Sequence, residues 1–502
     1  MSNGVVIGVD IGTTATKVVA YRTDGAALTS AERSYPLHSP HPGWAEQDPD
    51  EVVDAVLDAI AQAVSNLSED VAAIGLSSVM HSLIGLDGDG GPLTPLITYA
   101  DTRAWPQALR LRREHGISLY RATGTPIHPM SPLVKLVWFG EHHPELLRQV
   151  SQWVSIKEYL LRRMCGSDVV DHAVASATGL FDLSTRDWHP DALRAAGVDP
   201  EHLGRPVPTT ERVDGLRSDV AQPLGVPDST PVVVGASDGV LANLGVGAVR
   251  PGVAALSIGT SGAIRVTVDA PRTDPEMRTF CYTLTDRQWV VGGAISNGGL
   301  VLRWLAEELF GGRDDDYDRL TAEAAEVSPG SDGVLMLPYL TGERAPSWSP
   351  LRGGVLFGLR VGHRRGHAIR AGLEGVALQL RLVAAALRDA RGDFDRLRVT
   401  GGFVDSELWL QIVADVLNSE LEVPQVNEAV AYGAALLAMR GLGLVDDLSV
   451  ATDGITIART VAPSADAVAE YDRVAASYAE LVERLTPMLR DRSLVTTEEE
   501  RA

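Results

Sequence analysis

The sequence predicts an α/β protein built in two halves, and three observations carry that reading. Short Val/Ile/Leu runs alternate with longer amphipathic segments, a Gly-Thr hairpin pattern occurs twice, and 502 residues suffice for about two to four domains. In the first half, residues 5 to 9, 16 to 21, 71 to 77 and 231 to 235 read as strands. Residues 49 to 66 and 133 to 148 carry apolar side chains at helical three-and-four spacing. Pro40, Pro42, Pro92, Pro95, Pro126, Pro129 and Pro132 punctuate the loops between them. After Gly245 the pattern restarts with "VAALSIGTSGAIRVTV", Val253 to Val268, followed by helical segments at 298 to 310, 364 to 389, 407 to 418 and 429 to 440. The expected division is a domain over 1–246, a second over 247–490 and a charged tail over 491–502. The segment Val468 to Leu485 reads as a helix that packs on its own domain or offers a homodimer surface.

Composition narrows the function classes. Hydrophobic residues make up 45% of the chain, enough for real cores, and the formal net charge of −22 excludes a general binder of nucleic acid or anionic membrane. Any anionic ligand must be held by local groups. Cys165 and Cys281 stand far apart with no CxxC pair, which indicates neither a disulfide framework nor a cysteine zinc site and fits a reducing cytoplasm. No apolar run approaches the length of about 18 residues needed to span a membrane, and no export signal is visible. The histidines of "HSPHPGWAEQDPD", His38 to Asp50, lack the further nearby donors a metal site needs.

The repeated hairpin carries the most information. "DIGTTATKVV" and "SIGTSGAIRV" each join an apolar strand to Gly-Thr-Thr/Ser and a second β-rich run, 247 positions apart, which points to an internal duplication. Glycine allows close backbone approach, while Thr/Ser hydroxyls and loop amides face phosphate oxygens well. Either hairpin alone reads better as an ordinary glycine turn; the pair shifts the reading toward two phosphate loops.

These loops resemble those of the actin, hexokinase and Hsp70 ATPase superfamily, and longer stretches resemble the FGGY carbohydrate kinases over almost the whole chain. "MSPLVKLVWFGEH" (Met130 to His142) and "TGGFVDSELWLQIVADVLNSELEVPQVNEAVAYGAALLA" (Thr400 to Ala438) are similar to the two family signatures. "GASDG" (Gly235 to Gly239) and "LPYLTGERAPSWSPLRGGVLFGL" (Leu337 to Leu359) are also family-like. Within the family, "MHSLIGLD", "PLITYADTRA", "RATGTPIHPMSPLVK", "SIKEYLL" and "VVDHAVASATGL" resemble the members that phosphorylate gluconate, whereas xylulose-phosphorylating members usually carry a Trp- and Asn-containing run in place of "TYADTRA". The resemblance implies two actin-like (ribonuclease H-like) α/β domains with an interdomain active-site cleft, MgATP as phosphoryl donor and gluconate as acceptor. A pentulose acceptor is the alternative within the enzyme class, and a non-catalytic sugar- and ATP-responsive regulator is the alternative outside it.

The resemblance also supplies positions. Asp238, after the apolar run "PVVVGAS" and among small residues, is the expected general base, its other reading being a turn or helix cap. Asp10 is the expected Mg²⁺ ligand or, alternatively, an Asx turn residue. Gly12, Thr13 and Thr14 form the first phosphate loop, and Lys17 either reaches a phosphate or is a solvated strand-edge lysine. Gly259, Thr260 and Ser261 form the second loop. Gly299, Arg303, Gly401, Gly402 and Ser406 are expected against the nucleotide, with Arg303 also readable as an exposed helical arginine. Met80, His81, Asp101, Arg103 and His128 are expected against the sugar, together with Lys135 and Lys157 as further cationic or hydrogen-bonding candidates. Arg103 is the expected partner of a substrate carboxylate, and Lys135 is also readable as a support for its helix. Ser349 stands before a proline where many relatives carry aspartate and receives no catalytic role.

Overall fold

Strand-forming Val and Ile runs and amphipathic helices follow one another in the computed structural model, which describes residues 4–311, 317–349, 353–390, 392–426 and 428–490. The predicted tail 491–502 lies outside the described residues. The chain divides into two units. The first comprises Met1–Arg250, Thr267–Val291 and Val426–Ile455, and the second Pro251–Val266, Gly292–Gln425 and Thr456–Ala502.

In chain order the elements that frame the sites are β1 (Val5–Ile11), β2 (Ala15–Tyr21), β3 (Ala27–Ser34), α1 (Pro49–Ser65), β4 (Val71–Ser78), α2 (Pro132–His142), α3 (Ile156–Cys165), β5 (Arg212–Val213), β6 (Val232–Ser237) and α4 (Asp238–Gly245). After them come β7 (Gly252–Ile258), β8 (Gly262–Val268), β9 (Gln288–Ile295), α5 (Gly299–Trp304), α6 (Arg365–Asp389), β10 (Phe394–Thr400), α7 (Glu407–Leu417), β11 (Glu420–Pro424), α8 (Ala429–Gly441), β12 (Ile457–Val461) and α9 (Ala465–Arg490).

The first sheet has the order β5-β6-β4-β1-β2-β3, with β1 antiparallel to β2 and parallel to β4, β4 parallel to β6, and β5 antiparallel to β6. In the second sheet β12-β11-β10-β7-β8-β9 are neighbours in that order. There β7 is antiparallel to β8 and parallel to β10, β10 parallel to β11, and β12 antiparallel to β11. The second sheet has a seventh strand, Phe280–Thr285, beyond β9, but β6-β4-β1-β2 and β11-β10-β7-β8 repeat one order and one sense of pairing, as a duplication would leave them.

Period-two alternation sets the core of the first unit. Val5, Ile7 and Val9 of β1 join one apolar cluster with Val52, Val53, Val56 and Ile60 of α1, while α8 packs against β1, β4 and β6. Asp48 opens α1 by accepting from the amides of Asp50 and Glu51, and Pro49 sits at its first turn, where a missing N–H costs nothing. The helix expected over 133 to 148 is two helices, α2 and Pro144–Gln149, because Pro144 cannot continue the first and begins the second. The helix expected over 298 to 310 is α5 followed by a π-helical turn, Leu305–Leu309. Both cysteines are free thiols, and burial pushes each up to about 12. No helix among the described residues is long and apolar enough to cross a membrane.

Candidate active site

In the first unit, parallel pairing brings the C-terminal ends of β1, β4 and β6 side by side. Asp10 pairs in register with Ser77, and Ser77 with Ala236. Asp10 Oδ1 is buried with no hydrogen-bond partner among the described residues. Burial, with Asp238 and Glu428 adding negative charge nearby, pushes the Asp10 carboxyl up to about 8. Such a carboxylate, set among like charges, is a site that a cation relieves. Lys17, opposite Asp10 in the β1–β2 register, is 39% exposed and donates to Glu428 Oε1 at 3.0 Å.

The first loop is tied through its carbonyls. Gly12 O accepts from Tyr35 Oη at 2.7 Å, Thr13 O from Gln47 Nε2 at 2.8 Å and Thr14 O from the Tyr35 amide at 3.0 Å. The loop's carbonyls are thus held by the protein, the arrangement that leaves Thr and Gly amides for an anion in phosphate-binding loops.

Asp238 is the first residue of α4 and is half-buried. A register shift between Val233 and Ala236 interrupts β6 just before it, and Gly235 makes the shift possible. Its φ is +67°, and a Cβ there would fall 1.7 Å from the Leu76 carbonyl oxygen. Asp238 Oδ1 accepts from the next amide, Gly239 N–H, at 2.6 Å.

Around the sugar-side candidates the structure separates surface from support. His81 adopts φ +67°, which is costly for a non-glycine residue. It is held on two sides: Nδ1 lies 2.7 Å from the Ala177 carbonyl, and its own carbonyl accepts from Lys135 Nζ at 2.6 Å. Met80 beside it is half-buried, and the His128 ring accepts from the Met130 amide at 3.3 Å. Lys135 is buried, donates also to the carbonyls of Ile97 and Thr98, and is pulled down to about 7 by burial.

Arg103, expected at a substrate carboxylate, meets carboxylates of the protein itself. Its side chain is 4% exposed, bonds Asp101 through Nε and Nη2 and pairs with Glu46. The guanidinium carbon also lies 3.5 Å from the centroid of the Trp44 ring. Two protein carboxylates bond its Nε and Nη2, and Asp101 in turn accepts from the Ala45 amide at 2.8 Å. Arg103 and Asp101 thus form a buried ion pair. Lys157 is likewise buried in an ion pair with Asp171 at 2.6 Å.

In the second unit, the predicted nucleotide residues converge on a cavity of about 620 Å³ whose lining includes Thr260, Gly299, Arg303, Gly402, Ser406 and Trp409. The loop at Gly259 to Ser261 is clamped to the start of α5: Gly259 O accepts from Gly299 N–H at 2.7 Å, and Thr260 O from Gly298 N–H at 2.9 Å. Gly259, Ser261 and Gly401 adjoin lining residues in sequence without lining the cavity themselves. Gly401 and Gly402 do not open α7. Gly402–Asp405 is a 3-10 turn, and Ser406 is the cap, its Oγ accepting from Trp409 N–H at 3.3 Å. Sequence reasoning missed Tyr317, Asp318 and Thr321, which line the cavity from the helix Tyr317–Ala325. It also missed Glu428 beside Asp10, and neither group carries a local motif.

Residues 5–245 match the FGGY family of carbohydrate kinases, N-terminal domain, and residues 254–442 match the C-terminal domain of the same family. The chain belongs to the FGGY family of carbohydrate kinases. This kinase is 42% identical to the gluconokinase of Bacillus subtilis (strain 168) over 93% of both chains, and 29% identical to the xylulose kinase of the same organism over 93% of this chain and 94% of that one. Two solved structures from Lactobacillus acidophilus, a gluconate kinase and a ligand-bound xylulose kinase, each superpose with a TM-score of 0.92 at 34% identity, covering 96% of this chain and 98% of theirs. The fold is the two-domain, actin-like α/β architecture of the family, and the kinase is an ATP-dependent sugar kinase.

Proposed function

We propose that the kinase transfers the γ-phosphoryl group of ATP to the terminal hydroxyl of D-gluconate, giving 6-phosphogluconate and ADP. The observation that carries this reading is Asp238 at the interrupted end of β6, half-buried beside the orphaned carboxylate Asp10. Asp238 accepts the hydroxyl proton as the new O–P bond forms and the bond from the γ-phosphorus to the ADP oxygen breaks. Thr13 and Thr14 hold phosphate oxygens in the first unit, and Thr260 and Gly299 hold the nucleotide in the second. Asp10 is the residue that would hold Mg²⁺. No three His, Cys, Asp or Glu side chains converge on a metal site among the described residues, and a cation bound by one carboxylate, water and substrate phosphates needs no such set. When bound, the ion supplies charge neutralisation to the phosphates.

Gluconate is favoured over a pentulose by the higher identity to a gluconokinase than to a xylulose kinase. The xylulose kinase structure with an equal TM-score makes D-xylulose the second acceptor to test. The experiment is ADP release from MgATP with D-gluconate, D-xylulose, L-ribulose, glycerol or no sugar. A kcat/KM at least tenfold higher for gluconate supports the reading, and a preference for xylulose replaces the acceptor while leaving Asp238 in place.

A further inference from the structure

Behind Asp238 lies a buried ion pair that no step above uses. Lys157, second residue of α3, and Asp171 are each 1% exposed, with Lys157 Nζ 2.6 Å from Asp171 Oδ2. A buried pair of this kind persists only when further bonds hold both charges, and here each further bond leads to the site. Lys157 Nζ donates to the Ala236 carbonyl at 2.9 Å, two residues before Asp238 and immediately after the Gly235 interruption. Asp171 Oδ1 accepts from the amides of Ala173 and Val174 at 3.0 and 2.9 Å and so caps the short helix His172–Ser176. The end of that helix supplies the carbonyls that hold the sugar-side wall: Ser176 O accepts from Thr125 Oγ1 at 2.6 Å, and Ala177 O meets His81 Nδ1 at 2.7 Å.

We propose that Lys157 and Asp171 are positioning residues: their ion pair fixes the strand end that carries Asp238 relative to the wall that carries His81, and so sets the distance between base and sugar hydroxyl. The proposal rests on the reading of Asp238 as the base. The β4–β6 ladder breaks at Gly235 and resumes for only two pairs, Ala236 with Ser77 and Ser237 with Ser78, so the Lys157 bond to Ala236 reinforces a short strand end. A displacement of the base by about 1 Å can cost about a hundredfold in rate while leaving remote binding intact.

The test is a double-mutant cycle in turnover, using Lys157→Met, Asp238→Asn and the combination, with Lys157→Met/Asp171→Asn as a second form that leaves no unpaired buried charge and keeps the Asp171 capping oxygen. Lys157→Met and the paired neutral variant should each lower kcat about 10- to 100-fold with the ATP KM within twofold of wild type. Adding Lys157→Met to Asp238→Asn should cost less than threefold more. A wild-type kcat in the paired neutral variant, or a full multiplicative loss on top of Asp238→Asn, overturns the positioning role and leaves the pair purely structural. Full turnover in Asp238→Asn alone overturns the base assignment instead, and the two failures are read from different corners of the cycle.

Discussion

The two hairpins of the duplication share a fold and differ in what stands one residue before the Ile-Gly turn. In the first it is Asp10, buried with one oxygen unpartnered; in the second it is Ser257, whose hydroxyl accepts from Arg265 Nη1 at 3.3 Å. The loops differ as well. The first closes from Ile11 to Thr16 in the β1–β2 register, and its carbonyls are held by Tyr35 and Gln47. The second closes from Ile258 to Gly262, and its carbonyls are held by the amides that start α5. The two copies therefore differ by one side chain and by the partner of the loop: one concentrates negative charge at Asp10, the other helps build the wall of the second unit's cavity, and on the proposed function these are the cation and nucleotide sides.

Neutralising the carboxylate that sets the first copy apart is the strongest way to break this comparison. Asp10→Asn removes the charge and keeps the shape. Turnover should fall at least about a hundredfold, the loss typical of removing one electrostatic contact in a phosphoryl or acyl transfer site, while the melting temperature stays level or rises because a buried carboxylate among like charges has gone. Steady-state kinetics over a Mg²⁺ titration, with calorimetry alongside, decide it. Normal metal and ATP dependence in the variant would place the cation elsewhere.

The same carboxylate predicts a pH effect. With the Asp10 carboxyl raised to about 8, a cation competes with a proton for it below that pH, so the apparent Mg²⁺ requirement should rise by up to about tenfold for each unit between pH 8 and pH 6.5. Asp10→Asn should abolish that slope. A requirement that is flat with pH in the wild type would show that Asp10 is already ionised without metal.

How much of this was legible in the sequence follows from where each signal lies. Alternation of Val and Ile placed β1, β2, β4 and β6 to within about two residues, since a strand buried against α1 cannot hide its period. The Gly-Thr turns and "GASDG" marked the first loop and Asp238, since those backbone shapes demand small residues in sequence order. Partners brought together by folding were not legible. Arg103 reads as a free guanidinium in "TYADTRA" because Glu46 and Trp44 lie more than fifty residues away in the chain, and nothing local announces that they close around it. Glu428 is 411 positions from Lys17, so their ion pair exists only in the folded unit.

A smaller effect is expected at the cap of the nucleotide wall. Ser406→Ala removes the acceptor for Trp409 N–H at the start of α7 and should cost about 0.5 to 2 kcal/mol of stability, with the ATP KM rising a few-fold and the gluconate KM unchanged. An unaltered ATP KM would detach that helix start from nucleotide binding and leave Ser406 a cap only.

The second unit holds its own raised carboxyl, and it separates burial from function. Burial pushes Glu343 up to about 8 from an ordinary 4.5, but no neighbouring carboxylate contributes. Glu343 Oε1 accepts from the amides of Ser296 and Arg344, each at 2.7 Å, while Oε2 is buried without a hydrogen-bond partner among the described residues. A group whose folded pKa exceeds its unfolded one gives its full stability below the unfolded value and loses it as pH rises toward the folded value. Glu343→Gln removes the titration and keeps an oxygen for both amides, so the melting temperature of the variant relative to wild type should climb by a few degrees between pH 5 and pH 8 and then level off, with kcat within about threefold throughout. A large loss of turnover at constant stability would instead give Glu343 a role in the reaction and narrow the difference between the two units that Asp10 and Ser257 define.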